Sequence, residues 1–271
     1  MTSAPDVPPD VDPTRPSTAR IYDCLLGGTS HFEADRAAAQ RVKEFAPEMV
    51  DAAWANRGFH QRAARWIARQ GVRQFIDIGS GLPTVGNTHQ VVREVYPWAR
   101  VVYVDHDPMV LAYGQQLLGP DEGAAVILGD AREPEAVLGD PRLRRLIDFS
   151  QPAALLITAV LHFISDDSDP RGMIASYLQA LAPGSFLALS QATADHKPPQ
   201  SVQGVATAYG GGFPRSKDEV RKLFDGLELV PPYAGAEPDV TWVGLWGAED
   251  PVLADSEGSR WLYCGVARRP S

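Results

Sequence analysis

Residues 75–81 read Phe-Ile-Asp-Ile-Gly-Ser-Gly, and this segment decides the fold. Three apolar residues that surround one acid, Asp77, are typical of a parallel strand that is buried on both faces. Two glycines, Gly79 and Gly81, follow at alternate positions. Because glycine lacks a Cβ atom and tolerates positive φ, the turn that they form lets a ligand approach the backbone closely. The segment therefore predicts a strand followed by a ligand-binding turn.

Acids also follow the next two predicted strands. The run at 101–104 is followed by Asp105, and the run at 124–128 is followed by Gly129 and Asp130. The carboxyl ends of parallel strands meet at one edge of a sheet, where open α/β folds bind their ligands. An acid at the end of the second strand can accept hydrogen bonds from both ribose hydroxyls. The series therefore predicts an adenosine-type cofactor.

The glycines do not follow the dinucleotide pattern. Nicotinamide-dependent dehydrogenases carry Gly-x-Gly-x-x-Gly at this turn, and here the third glycine would fall at Thr84. The sequence contains no Gly-x-x-x-x-Gly-Lys run, which excludes a phosphate-binding P-loop. Both observations favour a different kind of nucleoside site.

Strands alternate with helices over most of the chain, which predicts an α/β fold with a mostly parallel sheet and helices on both faces. We predict seven strands, at 74–78, 100–105, 124–128, 153–158, 185–191, 227–230 and 261–267. Helices are predicted at 17–26, 34–45, 48–70, 87–96, 109–118, 170–181 and 217–225, with one or two more within 133–146 and a polar linker at 193–201.

The same patterns divide the chain into three parts. Proline and aspartate dominate residues 1–14, which predicts a mobile N-terminal arm. Residues 15–72 are predicted to form a helical cap that packs on the main domain. Residues 73–271 are predicted to form the cofactor-binding α/β domain.

The bulk composition disfavours several classes of function. The 271 residues carry a formal net charge of −9, which disfavours nonspecific binding to nucleic acid because its phosphates are repelled. Cys24 and Cys264 are too few and too far apart for a metal site or a disulfide framework. Residues 1–16 lack the apolar core of a signal peptide, and no apolar run is long enough to cross a membrane. We expect a cytoplasmic protein without a metal.

The series of strand ends resembles the class I S-adenosylmethionine-dependent methyltransferases, whose fold is Rossmann-like. This resemblance implies that Gly79 and Gly81 lie under the methionine and ribose parts of S-adenosyl-L-methionine. It also implies that Asp105 holds the ribose hydroxyls and that Asp130 contacts the adenine amino group. Carboxylates suit these roles because charge-assisted hydrogen bonds are stronger than neutral ones.

A closer resemblance covers nearly the whole chain. Its motifs are Arg-Ile-Tyr-Asp at 20–23, Ala-Asn-Arg at 55–57, Gln-Phe-Ile-Asp-Ile-Gly-Ser-Gly-Leu-Pro-Thr at 74–84, Val-Val-Tyr-Val-Asp at 101–105 and Phe-Asp-Gly-Leu-Glu-Leu at 224–229. They are similar to those of an actinobacterial family, once known only as a domain of unknown function and now called S-adenosyl methyltransferase. The resemblance implies that the N-terminal helices cover the cofactor, where an arginine or tyrosine of their polar set would clamp its methionine carboxylate. That set is Arg20, Tyr22, Asp23, Asn56 and Arg57. The alternative is a solvated helix face with salt bridges.

These arguments predict a set of residues that contact the cofactor: Arg20, Tyr22, Asn56, Asp77, Gly79, Ser80, Gly81, Asp105, His106, Asp130, Ala131, Thr158 and His162. Asp77 could orient the glycine turn or the amino group of the cofactor. The alternative is a purely structural acid at a strand end. His162 follows the fourth strand, and its ordinary pKa near neutrality suits a catalytic general base. The alternative is a histidine that packs under the cofactor.

The predicted function is methyl transfer from S-adenosyl-L-methionine to a small-molecule acceptor. The transfer would be an in-line displacement, in which the protein mainly holds the reactants in near-attack geometry. Two alternatives remain open. One is a regulatory protein that binds S-adenosylmethionine without turnover, and the other is a nicotinamide-dependent oxidoreductase.

Overall fold

A computed structural model describes residues 7–84 and 86–270 of the chain. Residues 1–6 of the predicted arm lie outside this part. In the remainder of the arm, Val11 is buried in a small cluster with Leu82, Met109 and Val110. Whether the arm moves stays a prediction. Within the two described ranges, no helix has both the length and the apolar character that are needed to cross a membrane.

An eight-stranded sheet forms the centre of the molecule. Its strands are β1 (Gln74–Ile78), β2 (Arg100–Asp105), β3 (Ala124–Leu128), β4 (Ala154–Thr158), β5 (Phe186–Ala192), β6 (Glu228–Leu229), β7 (Thr241–Trp242) and β8 (Leu262–Arg268). The order is β3-β2-β1-β4-β5-β8-β6, and β7 also pairs with β8. Strands β1 to β5 are parallel, whereas β8 is antiparallel to its three neighbours. Ligands of open α/β sheets bind where the strand order reverses, which here is between β1 and β4.

Helices cover the sheet and its carboxyl edge. They are α1 (Thr18–Leu25), α2 (Glu33–Phe45), α3 (Met49–Arg69), α4 (Thr88–Arg93), α5 (Pro108–Leu118), α6 (Pro134–Gly139), α7 (Pro141–Leu146), α8 (Pro170–Ala180), α9 (Pro199–Ala208), α10 (Lys217–Lys222) and α11 (Pro251–Ala254). Six of them begin with proline, whose fixed φ suits the first helical position. Ser216 and Glu219 form the capping box that starts α10.

Both faces of the sheet are covered because its central strands are buried along their whole length. In β1, Phe75 packs with Phe59 of α3 and Val91 of α4 on one face. Its neighbours Ile76 and Ile78 belong to a second core cluster, on the opposite face, to which α6, α7, α8 and α10 contribute. The alternation follows from the two-residue period of a strand. The predicted mostly parallel α/β sheet with helices on both faces is confirmed.

Two elements differ from the sequence-based prediction. The predicted count of seven strands was one short, because β7 has only two residues and leaves no alternating pattern in the sequence. The predicted polar linker at 193–201 runs into α9, which begins at Pro199. The run Pro-Gln-Ser-Val-Gln-Gly-Val-Ala-Thr-Ala is weak in intrinsic helix formers, so tertiary packing determines its conformation.

The N-terminal helices are joined to each other and to α9. Arg20 of α1 is buried and pairs with the buried Asp35 of α2, with 2.9 Å between Nε and Oδ2. Helix α2 packs on α9, where Phe45 lies directly against Gly204. Helix α3 buries Phe59 in the core that it shares with the sheet. The core therefore continues across residue 72, and the division into a helical cap packed on an α/β domain stays a prediction.

Candidate active site

A cavity of about 370 Å³ lies at the carboxyl ends of β1 to β4. One side consists of strand-end loops that carry polar and charged groups. The other side consists of α1, α9, the turn Leu161–Phe163 and the loop at 211–214. Helix α3 runs along both sides. The cavity therefore has one charged region and one region of mainly apolar side chains.

The turn after β1 requires its glycines. Gly79 and Gly81 both have φ of +65°, in the left-handed region that favours glycine. A Cβ atom on Gly79 would stand 2.3 Å from Cγ2 of Val160, so the backbone approaches the loop after β4 more closely than any side chain allows. The backbone of the turn therefore lines the cavity, and a side chain at Gly79 would clash with Val160.

Asp105 holds this turn in place from the end of β2. Its Oδ2 accepts a hydrogen bond from the backbone N–H of Gly81 at 2.9 Å, and its Oδ1 accepts one from Asp107 at 3.0 Å. The side chain is buried, and burial raises the pKa of this carboxyl above its ordinary value. His106 lies beside it, with 3.7 Å between Nδ1 and Oδ1. A carboxylate can accept about four hydrogen bonds, so Asp105 keeps capacity for a ligand.

Asp130 lies at the end of β3 and faces the same cavity as its neighbour Ala131. Its Oδ1 accepts hydrogen bonds from the backbone N–H of Arg132 at 2.8 Å and from the Nε of that residue at 2.9 Å. The hydrogen bond from the Arg132 side chain lowers the pKa of Asp130, which keeps this carboxylate ionised. The ion pair of Asp130 and Arg132 is therefore part of the charged lining of the cavity.

Two polar side chains of α3, Asn56 and His60, form hydrogen bonds at the cavity. Asn56 accepts a hydrogen bond from the Ser190 hydroxyl at 2.5 Å and donates one to the Tyr22 hydroxyl at 3.0 Å. The Tyr22 hydroxyl in turn donates to the carbonyl oxygen of Ala53 at 2.9 Å. One turn later, His60 reaches the ends of β1 and β4. Because residues four apart share a helix face, Asn56 and His60 point to the sheet together.

A chain of hydrogen bonds runs from Asp77 to Thr158. The Thr88 hydroxyl donates to Oδ2 of Asp77 at 2.6 Å, and Thr88 Oγ1 lies 2.7 Å from Nε2 of His60. The Nδ1 atom of His60 lies 2.9 Å from the hydroxyl of Thr158. Burial raises the pKa of Asp77 to about 6 and lowers the pKa of His60 to about 3. At neutral pH the chain therefore joins a carboxylate to an uncharged imidazole.

Two buried polar atoms at the cavity have no partner within residues 7–84 and 86–270. They are Nε of Arg57 and Oγ of Ser80, and both residues line the cavity. Arg57 uses Nη2 to donate to the carbonyl oxygen of Gly86 at 3.2 Å. A buried donor without an acceptor costs free energy, so a water or a ligand oxygen beside these two atoms would stabilise the fold.

His162 lies in the turn after β4 and faces the cavity. Its Nδ1 accepts a long hydrogen bond from the backbone N–H of Ala192 at 3.3 Å, and its ring packs on Phe163 with 4.4 Å between centroids. Burial, together with the positive charge of Arg215, lowers the pKa of His162 to about 3. The imidazole is therefore uncharged at neutral pH.

The structure brings all but one of the predicted contact residues to this cavity. Its lining includes Tyr22, Asn56, Asp77, Gly79, Ser80, Gly81, Asp105, His106, Asp130, Ala131, Thr158 and His162. Arg20 is the exception, because it faces Asp35 and donates through Nη2 to the carbonyl oxygen of Arg15 at 2.6 Å. Sequence reasoning overlooked His60, although its spacing of four residues from Asn56 is a helical signal.

The apolar region of the cavity has its own set of residues, and we call it the apolar chamber. It is lined by Leu25, Met49, Phe163, Val202, Val205 and Tyr209. Four of these residues, Leu25, Met49, Val205 and Tyr209, pack in one hydrophobic cluster, and Phe163 of the turn after β4 packs on Tyr209. Thr158 and the Gly79 turn line the same cavity.

Comparisons with known proteins identify the fold and the family. A protein from Thermobifida fusca YX, described as a candidate methyltransferase, is 41% identical, with a TM-score of 0.89 over 97% of this chain and 98% of its own. A DUF574 family protein from Streptomyces avermitilis MA-4680 is 37% identical, with a TM-score of 0.87 over 94% and 98%. The N-methyltransferase NodS from Bradyrhizobium japonicum WM9, at 12% identity and a TM-score of 0.50 over 80% and 97%, shares the fold alone.

No curated protein matches the chain significantly. The sequence profile described as S-adenosyl methyltransferase matches residues 5–270. The predicted Rossmann-like fold of class I methyltransferases is confirmed. The chain therefore belongs to the S-adenosyl methyltransferase family, and its cofactor is S-adenosyl-L-methionine.

Proposed function

We propose that this protein is an enzyme that transfers a methyl group from S-adenosyl-L-methionine to a small-molecule acceptor. The observation that carries the proposal is the division of one cavity into a charged region and an adjoining apolar chamber. A donor and an acceptor bound side by side need such a shared space, because methyl transfer requires the reacting atoms to be in contact.

The charged region has the chemistry that this cofactor requires. Asp105 would accept hydrogen bonds from the ribose hydroxyls, for which its carboxylate keeps free lone pairs. Asp130 or its neighbour Ala131 would contact the adenine. The unpartnered Nε of Arg57 and Oγ of Ser80 suit the methionine carboxylate, since an anion would supply the oxygen acceptors that both donors lack. Of the two arginines in the predicted polar set, Arg57 suits this role better, because Arg20 is engaged with Asp35.

When bound, the cofactor supplies an activated methyl group on a positively charged sulfur. The protein would then act mainly by positioning, because an activated methyl needs little further chemical assistance. The glycine turn keeps the backbone open to the ligand, and Thr158 lines the same cavity. An acceptor that carries a proton on its reacting atom must also lose that proton during the reaction.

His162 suits a packing role better than that of a general base. Its Nδ1 lone pair accepts the hydrogen bond from Ala192, so the neutral ring carries its hydrogen on Nε2 and has no free lone pair. Its lowered pKa also makes it a weak base. A catalytic role for His162 therefore stays a prediction, and we assign no base.

A calorimetric titration of the protein tests the proposal. S-adenosylmethionine and S-adenosylhomocysteine should bind with micromolar affinity, whereas NAD should not bind. Asp105→Ala should weaken binding of both sulfur ligands by about 100-fold, the loss of two hydrogen bonds to a charged group. Asp121→Ala is the matched control, since it removes the same charge from an ion pair with Arg93 that lies outside the cavity lining. Absence of binding by either sulfur ligand would overturn the proposal.

A further inference from the structure

The apolar chamber contrasts in charge with the rest of the cavity. The charged lining residues belong to α3 and to the ends of β1, β2 and β3. Among the described residues, those that α1, α9, the turn after β4 and the loop at 211–214 contribute to the lining are uncharged at neutral pH, with His162 included because of its lowered pKa. A charged ligand in the chamber would lose its water without gaining a partner of opposite charge, which disfavours its binding.

The chamber is also lined by groups that suit flat, apolar ligands. Phe163 and Tyr209 pack on each other with 5.5 Å between ring centroids, beside Val202 and Val205 of α9. Apolar and aromatic walls with few polar groups are typical of sites for small organic molecules. The polar groups that do face this space then determine the orientation of the ligand.

Thr158 is a polar group in the lining of this cavity, and its hydrogen-bonding direction follows from Asp77. Above the pKa of Asp77 its carboxylate is purely an acceptor, so the Thr88 hydroxyl must donate to it. The oxygen of Thr88 then accepts from Nε2–H of His60, which leaves Nδ1 of His60 as an acceptor for the Thr158 hydroxyl. The single hydroxyl hydrogen of Thr158 is thereby used, and its oxygen offers only lone pairs to a ligand.

We propose that the apolar chamber binds a neutral, largely apolar methyl acceptor whose O–H or N–H group donates a hydrogen bond to Thr158. The inference rests on the proposed function. It names the acceptor as a neutral small molecule with a hydrogen-bond donor near the methyl-accepting atom, such as a phenol. It disfavours carboxylates, phosphates and ammonium compounds as acceptors.

The test measures ligand binding with S-adenosylhomocysteine bound at saturation. The probes are neutral phenols of one to three fused rings, each with its methyl ether and its carboxylate counterpart, and the readout is calorimetric affinity. We expect at least one phenol to bind about 5–10-fold more tightly than its methyl ether, as one hydrogen bond provides. Its carboxylate counterpart should bind more weakly still.

Two substitutions of Thr158 separate the hydrogen bond from the shape of the chamber. Thr158→Val has nearly the same volume but lacks the hydroxyl, and it should remove the preference for the phenol over its ether. Thr158→Ser keeps the hydroxyl and should retain that preference. Val205→Asp should weaken binding of the phenol and leave the affinity for S-adenosylhomocysteine unchanged.

The outcomes distinguish this inference from the proposed function. Failure of S-adenosylhomocysteine to bind would overturn the proposed function and, with it, the inference. If S-adenosylhomocysteine binds but no phenol binds more tightly than its carboxylate counterpart, the inference alone is wrong. A preference for the phenol that persists in Thr158→Val would overturn the assignment of the hydrogen bond to Thr158.

Discussion

Asp77 combines burial with a position in the middle of the candidate active site. It lies in β1 between two apolar residues, and burial outweighs the hydrogen bond from Thr88 in setting its pKa at about 6. The positive charge of Arg57 lowers this pKa, and the negative charge of Asp105 raises it. A carboxyl that is hard to ionise destabilises the folded state at neutral pH. The chain therefore keeps Asp77 at a cost in stability, which is typical of functional sites.

We expect the stability difference between the wild type and Asp77→Asn to depend on pH. The folded pKa lies above the ordinary value of 3.8, so Asp77 stabilises the fold at low pH and this contribution is lost as pH rises through about 6. Relative to Asp77→Asn, which keeps an acceptor oxygen for Thr88, the wild type should lose about 2 kcal/mol between about pH 4.5 and 7.5. Urea unfolding of both proteins at each pH measures this change. A difference that is equal at the two pH values would contradict the account.

Arg57 offers a second test at the level of one residue. Arg57→Met should weaken the affinity for S-adenosylhomocysteine by about 10–100-fold, because a charged hydrogen bond to its carboxylate is lost. 5′-Methylthioadenosine is the control ligand, since it lacks the amino-acid part. It should bind the wild type and the variant equally, which also shows that the adenosine site remains folded. An unchanged affinity for S-adenosylhomocysteine in calorimetry would exclude Arg57 from carboxylate binding.

At the scale of elements, α2 packs on α9, which lines the apolar chamber with Val202 and Val205. A Cβ atom on Gly204 of α9 would lie 2.1 Å from Cγ of Phe45, so the Phe45 ring occupies the space that a larger residue would need. An added methyl group requires this ring, or the backbone of one helix, to move. The packing of Phe45 on α9 thus depends on one glycine.

Gly204→Ala should therefore lower the free energy of unfolding by about 1–3 kcal/mol. The matched control is Gly139→Ala at the end of α6, where an added Cβ meets nothing within 4 Å. That substitution should be neutral or slightly stabilising, because alanine has the higher helix propensity. Chemical denaturation of the two variants compares them directly. Equal stability of Gly204→Ala and the wild type would show that α9 and α2 are loosely packed.

The elements that sequence patterns predicted are those that have a strong local signal. Strand β1 and its glycine turn combine a buried apolar run with glycines at positive φ, and both can be recognised without a partner. By contrast, β7 exists only because Trp242 and Thr241 pair with β8, and α9 is held by its contact with α2. Patterns in one segment carry no information on such pairings.

The same limit applies to the arginine that would bind the methionine carboxylate. Arg20 and Arg57 both lie in helical segments next to polar neighbours, and the motifs alone do not separate them. Asp35 is 15 residues beyond Arg20 and occupies its guanidinium, whereas Arg57 keeps one buried donor without a partner among the described residues. We therefore propose Arg57 for the carboxylate of the cofactor on the basis of tertiary contacts.

At the scale of the whole molecule, the fold places two kinds of surface around one cavity. The ends of the parallel strands bring acids together because β1, β2 and β3 are neighbours in the sheet. The N-terminal helices and α9, which come from distant parts of the chain, supply the apolar cover. We therefore assign the charged region to the cofactor and the apolar chamber to the acceptor.

A crystal structure of the protein with S-adenosylhomocysteine tests this division most directly. We expect the ribose hydroxyls within hydrogen-bonding distance of Asp105 and the carboxylate of the ligand against Arg57 and Ser80. The space between Phe163 and Val205 should remain free of this ligand. A ribose that lies away from Asp105, or an adenosine that fills the apolar chamber, would contradict the account.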